Sequence, residues 1–252
     1  MNELTGKVAV VVGASRGIGA ATAIALASMG AKLCLAAPPS ENCESVIEQI
    51  HGVQGEARAF CCDAADAKQV AAVVAEAVAA YGRVDILINC AGIMQPVALV
   101  ENCPGDLWAR CVMVNLVGAF NGCQAVLPHF RRAGHGVIVN MSTAAAFHGL
   151  EGWSAYCSSK AGLVMLSRIV AAEVQGTGIK VYSFQPGMVN TDLGRESMKV
   201  KINSVTNLDP NTFAPPTEPA QAIAWLCAAE PTDLVGQEVV ITDPEFRQRC
   251  GL

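Results

Sequence analysis

The 252-residue sequence predicts an α/β fold: a Rossmann-like doubly wound parallel sheet in a single domain spanning residues 1–252. Three observations carry this. Short β-branched runs alternate with longer helical stretches, a glycine-rich turn joins the first run to the first helix, and no repeat or linker divides the chain. Single α/β domains commonly reach this length.

Residues 7–12 read as a buried strand, apolar without a break from Val8 onward. A helix over 18–29 follows, with Gly30 as its stop signal. Residues 32–36 form the second strand, which Pro38-Pro39 cannot extend. A helix over 42–50, a strand over 57–62, an Ala/Val helix over 67–81 and a strand over 84–89 come next. A long helical region breaks near Gly118 and closes before Gly134. The remaining pattern gives a strand over 137–141, a helix over 153–174, a strand over 180–185, a helix over 221–229 and a strand over 238–241. Helical crossovers between strands imply a parallel sheet with its crevice at the strands' carboxyl ends. The stretch 192–219, rich in Asn, Thr and Pro, breaks the rhythm; it reads as a lid over that crevice or as a disordered surface loop.

Composition excludes several classes. Hydrophobic residues at 52% against 15% charged rule out disorder. A net charge of −5 without a dense basic run argues against nucleic acid as a partner. The run 8–12 is too short to cross a membrane and lacks a signal peptide's architecture, so no secretory leader is expected. Eleven cysteines without a C-x-x-C pair, and four histidines without ligand spacing, give no metal site. They read as reduced thiols packed as small hydrophobes, in a cytoplasmic protein.

The turn after the first strand is Gly13-Ala14-Ser15-Arg16-Gly17-Ile18-Gly19. Gly13 permits a tight turn, Gly17 lets backbone approach a pyrophosphate, and Gly19 lets the helix sit close to the sheet. The helix N-terminus then offers N–H groups to the anion. An acid at the end of the second strand would pair with the ribose 2′-OH of NAD. Residues 35–38 contain none, and Arg16 could pair with a 2′-phosphate, so NADP is expected ahead of NAD; a merely solvated Arg16 leaves NAD open.

Tyr156 and Lys160 are four apart within one predicted helix, hence on one face. Thr143 lies thirteen residues upstream, just past a strand, with Ser142 before it. Reduction of a ketone leaves an alkoxide that needs a proton. A phenol beside an ammonium can give it, and its phenolate can act in reverse. A hydroxyl from Thr143 would orient the oxygen; spacing favours it over Ser142, the fallback.

These features together resemble the short-chain dehydrogenase/reductase family. The glycine loop matches at Gly13, Gly17 and Gly19, and the family's Asn-Asn-Ala-Gly motif stands as Asn89-Cys90-Ala91-Gly92. Asn115 matches its active-site asparagine, Tyr156 and Lys160 its Tyr-x-x-x-Lys, and Pro186-Gly187 with Val189 and Thr191 its motif after the sixth strand. The resemblance implies an NAD(P)-dependent oxidoreductase acting on a carbonyl or secondary alcohol. It implies that Asp63 contacts adenine, with Ala37, Ala64, Ser15 and Ile18 among the cofactor contacts. It further implies that Asn89, Ala91 and Gly92 border the adenosine and stabilise the sheet, that Lys160 binds the nicotinamide ribose, and that Val189 and Thr191 meet the carboxamide. Asn115 would hold a water in a relay to Lys160, or bond backbone at a helix kink. Homotetramers through the two long helices are expected.

Two positions depart from the pattern: Thr143 stands where the family has serine, and Thr242-Asp243-Pro244-Glu245 where many members have Asp-Gly-Gly, leaving the tail's packing open. A crevice bordered by Met94, Gln95, Ala145, His148, Trp153, Met188 and Leu193 suits a small, largely apolar substrate. Alternatives are a 3-oxoacyl-thioester reductase, disfavoured by Gly134 and Thr177 where such enzymes tend to carry arginine, and a non-catalytic NADP-binding sensor.

Overall fold

Seven strands form one wholly parallel sheet in the order β3-β2-β1-β4-β5-β6-β7. They are β1 Val8–Val12, β2 Lys32–Ala37, β3 Glu56–Cys61, β4 Ile86–Asn89, β5 Gly136–Met141, β6 Ile179–Gln185 and β7 Glu238–Val240. The computed structural model describes residues 3–252. Strand order reverses between β1 and β4, which creates a crevice at their carboxyl ends.

Alternate residues along each strand serve two cores. Ala9, Val11, Leu33, Leu35, Ile88 and Phe184 face α1 (Gly17–Ser28), α2 (Glu44–Gly52), α8 (Thr217–Ala229) and α9 (Pro244–Cys250). Val10, Val12, Leu87, Ile138 and Val181 face α3 (Ala67–Tyr81), α5 (Gly118–Ala133) and α6 (Ser154–Glu173). Covering on both faces explains why the central strands read as unbroken apolar runs. β3, at one edge, is largely exposed.

Four elements differ from the sequence expectation. No break occurs near Gly118: α4 (Gly105–Val112) runs through a π-helical turn, Met113–Val117, directly into α5. Neighbouring packing holds Gly118 in the helix; a Cβ there would lie 3.0 Å from that of Ala64. By length and composition Gly105–Ala133 could cross a membrane, but half of its apolar window is packed inside the fold. The stretch 192–219 is not irregular. It holds α7 (Asp192–Ser197), is tied back by backbone bonds between residues 188–190 and Ala214, and anchors to Glu151 O through Asn203 Nδ2 at 2.8 Å. Helix α8 starts at Thr217, not at 221, so its first turn falls inside that stretch. The tail forms α9, capped by Asp243, whose carboxylate accepts from the N–H groups of Glu245 and Phe246.

All eleven cysteines are unpaired; seven are buried and Cys61 is exposed. Burial of so many thiols fits their reading as small hydrophobes.

Candidate active site

A cleft of about 420 Å³ opens at the carboxyl ends of the strands. The β1–α1 turn forms one end. Gly13 (φ +89°) sits so close to the segment after β4 that a Cβ would lie 2.5 Å from Ala91 N. A Cβ on Gly19 would lie 1.9 Å from Gly13 O. Gly19 therefore does not line the cleft; it lets α1 meet the turn. Gly17 (φ +58°) faces Thr191. Arg16, ahead of α1, makes no capping hydrogen bond, and Gly17 and Ile18 of the first turn line the cleft. A glycine cradle at a helix N-terminus fits a dinucleotide pyrophosphate.

Of the other expected cofactor contacts, Ser15, Arg16, Ile18, Asp63, Ala64, Ala91, Gly92, Pro186, Gly187, Val189 and Thr191 all line the cleft. Two do not. Ala37 is buried at the end of β2, where Pro38 takes the lining place. Asn89 is in the core, donating from Nδ2 to Asn140 Oδ1 (2.8 Å) and to Ala119 O (3.2 Å), so it braces the sheet. Asp63 pairs with Arg110 of α4 at 2.9 Å, and that guanidinium holds its carboxyl below the usual range.

The adenosine end also contains an acid that sequence reasoning missed. Glu41, beyond Pro38-Pro39, lines the cleft, accepts from the Ser15 hydroxyl and pairs with Arg16 at 2.9 Å. Arg16 also lies 3.7 Å from Asp192 of α7. The guanidinium expected to await a phosphate thus already faces two carboxylates. No local spacing points to Glu41, because its partners are about a helix's length away in sequence.

At the other end, α6 carries Tyr156 and Lys160 one turn apart, both buried, with Lys160 Nζ 5.9 Å from the centre of the tyrosine ring. Trp153 packs edge-on against that ring at 6.0 Å. Lys160 donates to Met141 O at 2.7 Å, which locks it beneath the end of β5. Burial brings its ammonium down to about 8. Burial also pushes the Tyr156 phenol up, and the Thr143 hydroxyl beside it pulls the other way. The expected lowering of this phenol by Lys160 is not met here; loss of water around the ring outweighs it.

Thr143 is beside the phenol, and its Oγ1 accepts from Ala145 N at 3.3 Å. Ser142 is 2% exposed, and its Oγ has no partner among the described residues. Asn115 lies in the π-helical turn. Its Oδ1 accepts from Ile93 N (2.8 Å), while Nδ2 donates to Ile93 O (2.9 Å) and Ser159 Oγ (3.0 Å). The amide is thus taken up by protein partners, as in the backbone-bonding alternative, and it staples the helix to the β4 loop and α6.

The wall between the two ends is apolar: Met94, Leu150, Trp153, Leu193, Met198, Val205 and Phe213, with His148 and Met188 also lining it. Gln95 is not part of it. It is exposed, and its Oε1 turns back to Val97 N.

Residues 7–201 match the family model described as short chain dehydrogenase. The chain is 39% identical to D-threitol dehydrogenase of Mycolicibacterium smegmatis over 95% of this chain and 92% of that protein. It is 33% identical to the 3-oxoacyl-[acyl-carrier-protein] reductase of Thermotoga maritima, over 95% and 97% respectively. Among solved structures, levodione reductase superposes with a TM-score of 0.88 at 28% identity, covering 99% of this chain and all of that one. NAD+-bound xylitol dehydrogenase superposes at 0.85 and 26%, covering 94% and 98%.

Proposed function

The chain belongs to the short-chain dehydrogenase family, and from that premise we propose that it reduces the carbonyl, or oxidises the secondary alcohol, of a small and largely apolar substrate, with Tyr156 as acid and base. The grouping of Thr143, Tyr156 and Lys160 at one end of an apolar cleft, opposite a glycine-lined helix N-terminus, carries this reading. A nicotinamide dinucleotide, when bound, supplies the hydride donor or acceptor.

The residues divide the remaining work. Gly13, Ser15, Gly17 and Ile18 would hold the pyrophosphate on the N–H groups of α1. Asp63, Ala64, Ala91 and Gly92 would border the adenosine half, and Pro186, Gly187, Val189 and Thr191 the nicotinamide half. Thr143 Oγ1 orients the substrate oxygen, and Tyr156 gives that oxygen its proton on reduction and takes it back on oxidation. Lys160, fixed by Met141 O, keeps positive charge near the phenol. Residues 192–219 act as the lid, with Leu193, Met198, Val205 and Phe213 excluding water.

NAD is the proposed cofactor, against the sequence expectation of NADP. A 2′-phosphate brings about −1.5 to −2 charges to a corner where Glu41 and Asp192 already outnumber Arg16. The free hydroxyl of NAD suits Glu41. Homotetramers are proposed from the exposed Met113 and Phe120 on the π-turn–α5 rod and Met165 and Ile169 on α6. A reduced intracellular setting fits the unpaired cysteines.

A second reading, reduction of a 3-oxoacyl thioester, draws on the Thermotoga relative. NADH and NADPH oxidation over a panel of ketones, hydroxyketones and a 3-oxoacyl thioester separates the two. Tyr156→Phe is expected to lower kcat by ~10³-fold with cofactor affinity changed less than about twofold. Tight cofactor binding without turnover on any substrate would instead support the sensor alternative.

A further inference from the structure

One register row crosses the sheet beneath α6 and changes character halfway. Asn89 pairs with Asn140, Asn140 with Ser183, and Ser183 with Glu238. All four side chains lie on the face covered by α5 and α6. The first half is linked by hydrogen bonds, Asn89 Nδ2 to Asn140 Oδ1 and Asn140 Nδ2 to Ser167 Oγ at 2.9 Å, with Asn89 Oδ1 left over. The second half is open. Among the described residues, eight buried side-chain polar atoms have no hydrogen-bond partner, and four of them are Ser142 Oγ, Ser183 Oγ and both carboxylate oxygens of Glu238. Ser142 is two residues beyond Asn140 on the same face. Both hydroxyls bear on the ionisation of Glu238, yet neither has a hydrogen-bond partner among the described residues. Two buried hydroxyls and a carboxylate left so are the polar setting that holds an ordered water.

We propose that Glu238, through a water held by Ser142 and Ser183, is a positioning residue that sustains the ammonium of Lys160 from the side away from the substrate. The inference rests on the reading of Lys160 given under Proposed function. Lys160 is tied to Met141 O, the carbonyl preceding Ser142, on the same α6-covered face as Glu238. The groups whose charges bear on Lys160 are Cys90 after β4, Cys111 on α4 and Glu238 on β7. Burial pushes both thiols up to about 11, so they are neutral at physiological pH. Glu238 is the member of that set able to carry charge there. Its own surroundings are mixed. Burial holds the carboxyl above its usual range, and Ser183, Ser142, Arg168 and Lys160 offset part of that rise. Arg168 is exposed on α6 and leaves the buried side to Lys160.

The test reads the lysine directly. With seven lysines in the chain, a ¹³C-lysine spectrum is tractable, and Lys160→Arg identifies the resonance. Glu238→Gln is expected to move the Lys160 titration down by roughly one pH unit, with the alkaline limb of kcat/KM moving by the same amount and KM changing less than about twofold. Ser183→Ala, which leaves the charge but loosens the water, should move both in the same direction by less; Glu238→Asp should restore part of the shift. Thermal melts check that each variant folds. An unmoved Lys160 resonance in Glu238→Gln and Ser183→Ala overturns the proposal, as does a loss of activity without that movement. Since the resonance needs no turnover, failure here is distinct from failure of the oxidoreductase reading.

Discussion

The hydroxyl beside the phenol is threonine, and its methyl group restricts χ1. Its neighbour Ser142 is buried, without a hydrogen-bond partner for its Oγ among the described residues, and bears on Glu238. Thr143→Ala should therefore lower kcat by roughly 10²-fold, and Ser142→Ala by less; steady-state kinetics with the better substrate decides, and a larger loss at Ser142 reverses the assignment. At the adenosine end, Glu41→Gln removes the carboxylate that holds Arg16. The ratio of kcat/KM for NADP to that for NAD should then rise by about tenfold or more. An unchanged ratio would disqualify Glu41 as the discriminating group. Tyr156, Lys160 and Thr143 were legible because a helix turn and a strand end fix their spacing. Glu41 was not: Ser15 and Arg16 meet it across a chain reversal that Pro38-Pro39 announces but does not aim. Glu238 was hidden for a similar reason, because sheet register alone brings it beside Ser183.

At the scale of elements, the β1–α1 turn has almost no room to vary. Gly19→Ala would drive a methyl into Gly13 O, a backbone atom that cannot step aside. A loss of roughly 3 kcal/mol or more is expected in urea unfolding, with cofactor affinity falling as well; a variant as stable as the parent would contradict the close approach. Element types were readable from period and punctuation. The errors fell where tertiary packing overrides a local signal. Gly118 looks like a helix breaker, yet contact with Ala64 keeps it helical and a π-helical turn absorbs the irregularity. The Asn-, Thr- and Pro-rich composition of 192–219 disguises α7, whose cap is Thr191 accepting from Gly194 N at 3.1 Å. The tail, left open by the sequence reading, starts α9 on an Asp-Pro pair, a cap followed by proline at the first helical position.

For the whole molecule, the thiols set an alkaline limit. Cys34, Cys62 and Cys111 are pushed up to about 11 and Cys123 to about 12, all by burial. Unfolded thiols ionise near ~8.5. The unfolded chain therefore binds fewer protons above that pH, so stability present below pH ~8.5 is lost as pH rises toward 11. Lys160 acts oppositely: its folded value of about 8 is below that of the unfolded chain, and stability gains as pH rises above 8. Four thiols outweigh one amine, and Tm under reducing conditions should fall on the order of 10 °C between pH 8 and 10.5; a flat profile would contradict the burial. The architecture itself was plain in the sequence, because sheet burial on both faces writes itself as apolar runs. One element unites its two ends. The uninterrupted rod from Gly105 to Ala133 touches Asp63 through Arg110 and Ala64 O through Asn121, while Trp108 Nε1 reaches Ser154 and Asn115 reaches Ser159 on the catalytic helix. It is a common spine for both halves of the crevice. A tilt that loosened its grip beside the adenosine would loosen it beside the phenol too, so nucleotide and carbonyl compound are expected to bind as thermodynamically linked guests, read as a change in the Kd of one on saturation with the other.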